Sequence, residues 1–208
     1  MKIAVIGANG KVGSLVCKKA LKKGLDVTGF VKEAKNNEIK NVIKNVTDIT
    51  SDDLKDYDVV VDAVGGWTSE TIPNITLAMT HLADVLSSSK TRLIVVGGAG
   101  SLYLDNTHTT TVDMDPSFPD SWKPLSAAHG KGLAYLRKST DLNWLYISPA
   151  CNFVADGKET GEYKIGNEEV ILNSLGASEI SYTDYAIALV DEIINQKYNR
   201  QRITFVGK

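Results

Sequence analysis

Short, continuously apolar runs alternate along the chain with longer stretches in which apolar positions recur every three or four residues. Ile3–Ile6, Val27–Val31, Asp58–Val64 ("DVVVDAV"), Leu93–Val96 ("LIVV") and Trp144–Ser148 read as strands. The short apolar run Ile3–Ile6, bounded by glycine, is that of a parallel strand covered on both faces. Ile39–Val46 reads as a further strand, interrupted by Lys40, Asn41 and Lys44, and Ile203–Val206 as a last short one. A helix is predicted after Gly13, with Leu15, Val16, Ala20 and Leu21 on one face and Lys18, Lys19, Lys22 and Lys23 on the other. Gly24 stops it. Further helices are predicted over Ile72–Leu86, with Pro73 in the first turn, over Leu125–Arg137 and over Tyr182–Ile194.

Strands alternating with helices imply βαβ units, hence an α/β fold with a doubly wound parallel sheet. Two segments break the rhythm. Residues 101–122 are long, polar and marked by prolines, and residues 152–181 contain glycine and are only weakly periodic. Both follow strand C-terminal ends, where open α/β sheets bind ligands. No interdomain linker or internal repeat is visible, so residues 1–208 read as one domain with these two segments on its substrate side.

Composition narrows the partners. The net charge is −2 and the pI about 5.9, so no global basic field draws in nucleic acid or an anionic membrane. No apolar stretch approaches the ~18 residues of a membrane span, and no charged segment leads into an apolar export signal. Cys17 and Cys151 follow no paired motif and read as reduced thiols of a cytoplasmic protein. His81, His108 and His129 have no metal-ligand spacing, and no metal is expected. The expected partner is a small-molecule acceptor, and the chain is expected as a monomer or homodimer.

The chemistry starts in "IAVIGANGKVGSLVCKKALKKG", a strand, a glycine turn and a helix. Gly7 permits the tight turn, Gly10 lets backbone approach a pyrophosphate, and Gly13 lets helix pack on sheet; the helix N-terminus attracts the anion. The glycines fall at every third position, so the turn is one residue longer than the usual G-x-G-x-x-G. An acidic residue normally ends the second strand and binds the ribose 2′-hydroxyl of NAD. Here Lys32 stands in that region, followed by Glu33. A cation there suits a 2′-phosphate, and Lys11 adds a second charge, which favours NADP(H) over NAD(H). Both lysines also fit plain solvated surface positions.

"GANGKVG", "DVVVDAVGG", "LIVVGGAGSLY", "LNWLYISPA" and "SEISYTDYAIALVDEI", in this order, resemble the atypical short-chain dehydrogenase/reductase superfamily. They are most similar to its small NmrA-like, biliverdin-reductase-B-like branch, to which NADH-flavin reductases are assigned. The resemblance implies a Rossmann-type sheet with a small C-terminal substrate-side subdomain. It implies cofactor contacts from Gly7, Asn9, Gly10, Lys11, Val12, Gly13 and Lys32, from Ala63, Val64 and Gly65, from Gly97, and from Pro149 and Ala150. The family commonly has an Asp near the adenine after its third strand, where this chain has Asn45.

The active-site pattern departs from the superfamily. Most members place Tyr-x-x-x-Lys on the helix that here reads "PLSAAHGKGLAYLR", yet Ala127 stands four residues before Lys131. Ser101 follows the fifth strand, where the family's serine lies. Ser101 and Lys131 are therefore the catalytic candidates, each with an ordinary reading beside it: a turn residue and a solvated lysine. His129 shares the helix with Lys131 but points elsewhere, and its plainer reading is a semi-buried histidine without a role. Tyr103, Phe118 and Trp122 punctuate the first long segment, either as anchors or as a wall for a flat ligand. With the tyrosine acid missing, the sequence favours an acceptor that stabilises its own charge. The expectation is an NAD(P)H-dependent oxidoreductase passing hydride to a planar acceptor, with free flavin as substrate, or a quinone or tetrapyrrole. A dinucleotide-sensing protein without turnover, like NmrA regulators, is the alternative. A sugar-nucleotide epimerase comes last, because it needs the tyrosine.

Overall fold

The computed structural model describes residues 1–35 and 38–208. Among the described residues ten strands form: β1 (Lys2–Ile6), β2 (Asp26–Val31), β3 (Lys40–Ile43), β4 (Val59–Asp62), β5 (Arg92–Val96), β6 (Trp144–Ser148), β7 (Asn152–Val154), β8 (Tyr163–Gly166), β9 (Glu179–Ser181) and β10 (Gln201–Gly207). Five α-helices accompany them: α1 (Lys11–Lys22), α2 (Ser51–Leu54), α3 (Pro73–Val85), α4 (Lys123–Lys138) and α5 (Tyr182–Asn195). The main sheet runs β3-β2-β1-β4-β5-β6-β10-β8. All its pairings are parallel except β10 with β8. This is a Rossmann-type α/β sheet whose order reverses between β1 and β4, so a crevice opens beyond their C-terminal ends.

Alternation along the central strands feeds two cores. Val59 and Val61 of β4 join Val16, Cys17 and Ala20 of α1 and Leu189 and Ile193 of α5 on one face. Val60 joins Ile75, Met79 and Leu82 of α3 and Leu133 and Leu136 of α4 on the other. One ion pair lies inside the first layer. Arg92 donates to the Glu192 carboxylate at 2.7 Å, with both side chains below 5% exposed. Glu192 also accepts the N–H of Tyr198 at 3.1 Å, and Arg92 donates to the Glu192 carbonyl at 3.2 Å.

Several boundaries differ from the sequence reading. Helix α1 begins at Lys11, because the Gly10 carbonyl already accepts the N–H of Ser14 at 3.0 Å. Strand β3 ends at Ile43, since Asn45 opens a 3₁₀ turn over Val46–Asp48. Segment 101–122 holds two more 3₁₀ turns, Val112–Met114 and Asp120–Trp122. Segment 152–181 holds three strands: β8 extends the main sheet, while β7 and β9 pair in a small separate sheet. It is fastened to α5 by Asp184, whose carboxylate accepts the N–H groups of Thr160 at 2.9 Å and Gly161 at 2.8 Å. Ser181 caps α5 by accepting the N–H of Asp184.

Candidate active site

The glycine turn is shaped by what surrounds it. Gly7 has φ +81°, and a Cβ there would sit 2.8 Å from the Ala63 carbonyl oxygen, so strand β4 excludes a side chain. A Cβ on Gly13 would overlap the Gly7 carbonyl. These two glycines close the turn onto α1. Gly10 is exposed and faces the crevice. No side chain caps α1, no acidic residue occupies its first turn, and Lys11 does. The helix end therefore presents free N–H groups and a positive dipole end to the crevice. Asn9 ties the turn to the end of β2, donating to the Glu33 carbonyl at 2.7 Å, while its Oδ1 is buried without a partner among the described residues. Lys32 stands exposed at that same strand end, and Asn45 is exposed after β3.

The crevice widens into a cleft of about 600 Å³ across the ends of β1, β4, β5 and β6. Gly10, Lys11 and Val12 line one end, Ala63, Val64 and Gly65 follow, and Gly97, Pro149 and Ala150 form the floor. Phe118, Trp122 and His129 also face it. Residues 7–196 match the NAD(P)H-binding family.

The chain belongs to the NAD(P)H-binding family.

It is 37% identical to the uncharacterized protein YwnB of Bacillus subtilis (strain 168), over all of this chain and 99% of the relative. A crystal structure from Streptococcus pneumoniae TIGR4, described as that of a proposed NADH-flavin reductase, superposes with a TM-score of 0.97 at 40% identity over the whole of both chains. Another, of a proposed epimerase from Bacteroides thetaiotaomicron, gives a TM-score of 0.83 at 30% identity, covering 99% of this chain and 96% of that one. The atypical short-chain dehydrogenase, NmrA-like resemblance of the sequence fits this membership.

In this NAD(P)H-binding fold, neither residue singled out for catalysis lines the cleft. Ser101 is held by Arg202, which is 2% exposed on β10 and donates to the Ser101 hydroxyl at 2.9 Å and carbonyl at 2.8 Å. A buried guanidinium needs acceptors, and Ser101 is one of them; Glu168, which also pairs with Arg137 at 2.7 Å, is the other. Lys131 is exposed on α4, away from the cleft. Tyr103 turns out to be an anchor: its ring stacks on His108 with centroids 4.3 Å apart, and His108 bonds to Glu169 at 2.6 Å. Phe118 and Trp122, in edge contact at 6.3 Å, do form part of the cleft wall.

The sequence reading missed several cleft residues. Trp67 follows β4. Phe153 and Tyr182, with ring centroids 4.1 Å apart, line the α5 side. Ser126 on α4 faces the cleft and donates to Asp113 at 2.6 Å. The signals were present in "GGW" and at the first position of the "YTDY" helix, but a turn tryptophan and a helix-opening tyrosine carry no periodicity.

The titratable groups are tuned by burial. His129 packs its ring on Gly98, where a Cβ would come within 3.0 Å, and its Nδ1 is enclosed without a partner. Burial lowers its pKa to about 4, so the ring is neutral at physiological pH. Asp62, at the end of β4, is 3% exposed, and burial raises its carboxyl to about 7 although it accepts the N–H of Val64 at 3.1 Å. Burial also pushes up the phenol of Tyr182.

The shifts at His129 and Asp62 act on stability with opposite signs. Between about pH 6.5 and 4 the unfolded chain binds a proton at His129 that the folded chain refuses, so stability falls as the pH drops through that window. Asp62 stays protonated in the fold up to about pH 7, so its contribution is present at low pH and lost as the pH rises toward 7. His129→Gln is expected to gain stability relative to the parent at about pH 5 compared with about pH 7.5. Thermal melts at the two pH values check this; an identical difference at both would contradict the neutral, enclosed imidazole.

Proposed function

We propose that this protein is an NAD(P)H-dependent oxidoreductase that reduces a flat acceptor able to stabilise its own charge, free flavin being the leading candidate and NADP(H) the preferred cofactor. The observation that carries the reading is the make-up of the cleft. It joins an uncapped helix N-terminus to aromatic walls, and among the described residues lining it Lys11 alone carries a charge. Tyr182 has its phenol raised by burial, His129 is neutral, and the Ser126 hydroxyl donates its hydrogen bond to Asp113. None is an activated acid of the kind that ketone reduction requires.

The residues present fit a nicotinamide dinucleotide. A glycine cradle, an orphaned Asn9 Oδ1 and a helix end free of acidic residues are features that a pyrophosphate and a ribose would complete. Gly7, Gly10 and Gly13 would shape the anion site, with Lys11 and Val12 at its helix end. Asn9, Lys32 and Asn45 would serve the adenosine half. Ala63, Val64 and Gly65 would flank the sugars, and Gly97, Pro149 and Ala150 would support the far ring. When bound, the reduced nicotinamide supplies hydride. The acceptor also takes up one proton from water, so two electrons and two protons reach it in all. The chain's own part is to orient two flat partners, cover them with Phe118 and Trp122 and keep a charged imidazole out of the site. The proposed NADH-flavin reductase with the same fold supports the flavin assignment. The two free cysteines support a cytoplasmic setting.

The test is steady-state oxidation of NADPH and NADH with FMN, riboflavin, a quinone and biliverdin. Turnover with a flavin is expected. Tight cofactor binding without turnover of any acceptor would instead make the protein a dinucleotide sensor. Lys32→Ala is expected to weaken NADPH about tenfold and leave NADH unchanged, as loss of a charge-assisted bond to a 2′-phosphate would. Equal losses for both cofactors, read by titration of nicotinamide fluorescence, would place Lys32 elsewhere.

A further inference from the structure

We infer that Trp67 is a specificity-determining residue that stacks on the acceptor ring, so that acceptors are selected by a flat ring face and not by a charged tail. The inference rests on the functional reading above and extends it to the class of acceptor. Trp67 lines the cleft yet is 73% exposed, the most exposed of the aromatic rings around it. Exposed together with Trp122 along one cleft, the indole is part of an apolar patch of the kind that marks a ligand groove. The turn nevertheless fixes its backbone. The N–H groups of Trp67 and Thr68 both donate to Thr71 Oγ1 at 3.0 Å, and Thr71 N–H donates back to Thr68 Oγ1 at 3.3 Å. Gly66 has no room for a Cβ because the Thr71 carbonyl occupies that space. The indole is thus presented from a pre-shaped turn, which lowers the ordering cost of binding.

Its surroundings define what it can recognise. Trp67 shares the cleft lining with two aromatic pairs, Phe118 with Trp122 and Phe153 with Tyr182. Lys11, the charged side chain among the described lining residues, sits at the α1 end, where the dinucleotide phosphates belong. Apart from Lys11, the described lining offers ring faces and no charged side chain. A ribityl or phosphate tail finds no ionic partner there, whereas a tricyclic ring finds aromatic area, and each such stack is worth about tenfold or more in affinity.

The experiment compares riboflavin, FMN and lumiflavin (the ring without the sugar chain) by flavin fluorescence titration in the presence of NADP⁺ and by NADPH oxidation. Dissociation constants and KM values within about threefold of one another are expected for the parent protein, because the shared ring carries the affinity. Trp67→Ala is expected to raise all three about tenfold with NADP⁺ affinity unchanged, and Trp67→Phe to recover most of the loss. Unchanged flavin affinity in Trp67→Ala overturns the inference, as does an FMN preference of tenfold or more in the parent. If the parent binds riboflavin but does not reduce it, the flavin reductase reading fails while the titration still decides the role of Trp67. If it binds no flavin, the flavin assignment and the role of Trp67 fall together, and turnover of the quinone or biliverdin decides the oxidoreductase reading.

Discussion

Valine at position 10 is expected to raise the dissociation constant for the dinucleotide about a hundredfold or more while leaving the protein folded. A Cβ on Gly10 would stand 3.2 Å from the Gly7 carbonyl oxygen, tight but tolerable after a shift of a few tenths of an ångström. The branched methyl groups beyond it would project into the crevice over the N-terminus of α1, where a pyrophosphate must approach the backbone to reach the N–H groups. Losing two or more charge-assisted bonds accounts for the size of the effect. Gly10 is exposed and contributes no core contact, so the penalty on the fold is confined to the helix cap, about 0.5–1 kcal/mol. Alanine at Gly13 makes a useful contrast. Its Cβ would overlap backbone at Gly7, and that variant is expected to lose stability and cofactor together. Calorimetric titration of NADP⁺ beside a thermal melt separates the two cases. A folded Gly10→Val protein with parental affinity would remove the glycine turn from the dinucleotide site.

Glu192→Ala is expected to destabilise the fold by about 3–5 kcal/mol, because it strands the Arg92 guanidinium in the layer between the sheet and α5. The carboxylate also receives the N–H of Tyr198 after α5, so the variant loosens the entry into β10 as well. Replacing both partners by methionine is expected to restore much of the loss, since the cost lies in the uncompensated charge and not in the missing pair. Denaturant unfolding of the single and double variants measures this. A loss below about 1 kcal/mol in the single variant would mean that water reaches Arg92.

The parts of the structure that were legible in the sequence share a physical cause. The runs at β1, β4, β5 and β6 are mostly apolar because helices cover both faces of the sheet, so burial itself writes the pattern. The glycine turn was legible because Gly7 and Gly13 each meet backbone that excludes a side chain. Strands β7 and β9 have three residues each, too few to display a period, and β8 is an edge strand with Lys164 and Ile165 exposed. Ser101 illustrates a different limit. Its neighbourhood looks like a catalytic serine's, but its hydroxyl is committed to Arg202, a partner 101 positions later that local pattern cannot reveal. Tyr103, Phe118 and Trp122 sit in one polar segment with similar surroundings in sequence. The His108–Glu169 contact turns the first into an anchor, and the edge of the cleft takes the other two.

The measurement that bears most directly on the whole account is anaerobic rapid mixing of the protein with riboflavin and NADPH carrying deuterium or protium at the transferable nicotinamide position. If the cleft holds both rings in contact, flavin bleaching and cofactor oxidation are expected to proceed at one rate, to saturate in both ligands and to slow with deuterium. Cofactor binding without flavin bleaching above the uncatalysed background would contradict the account.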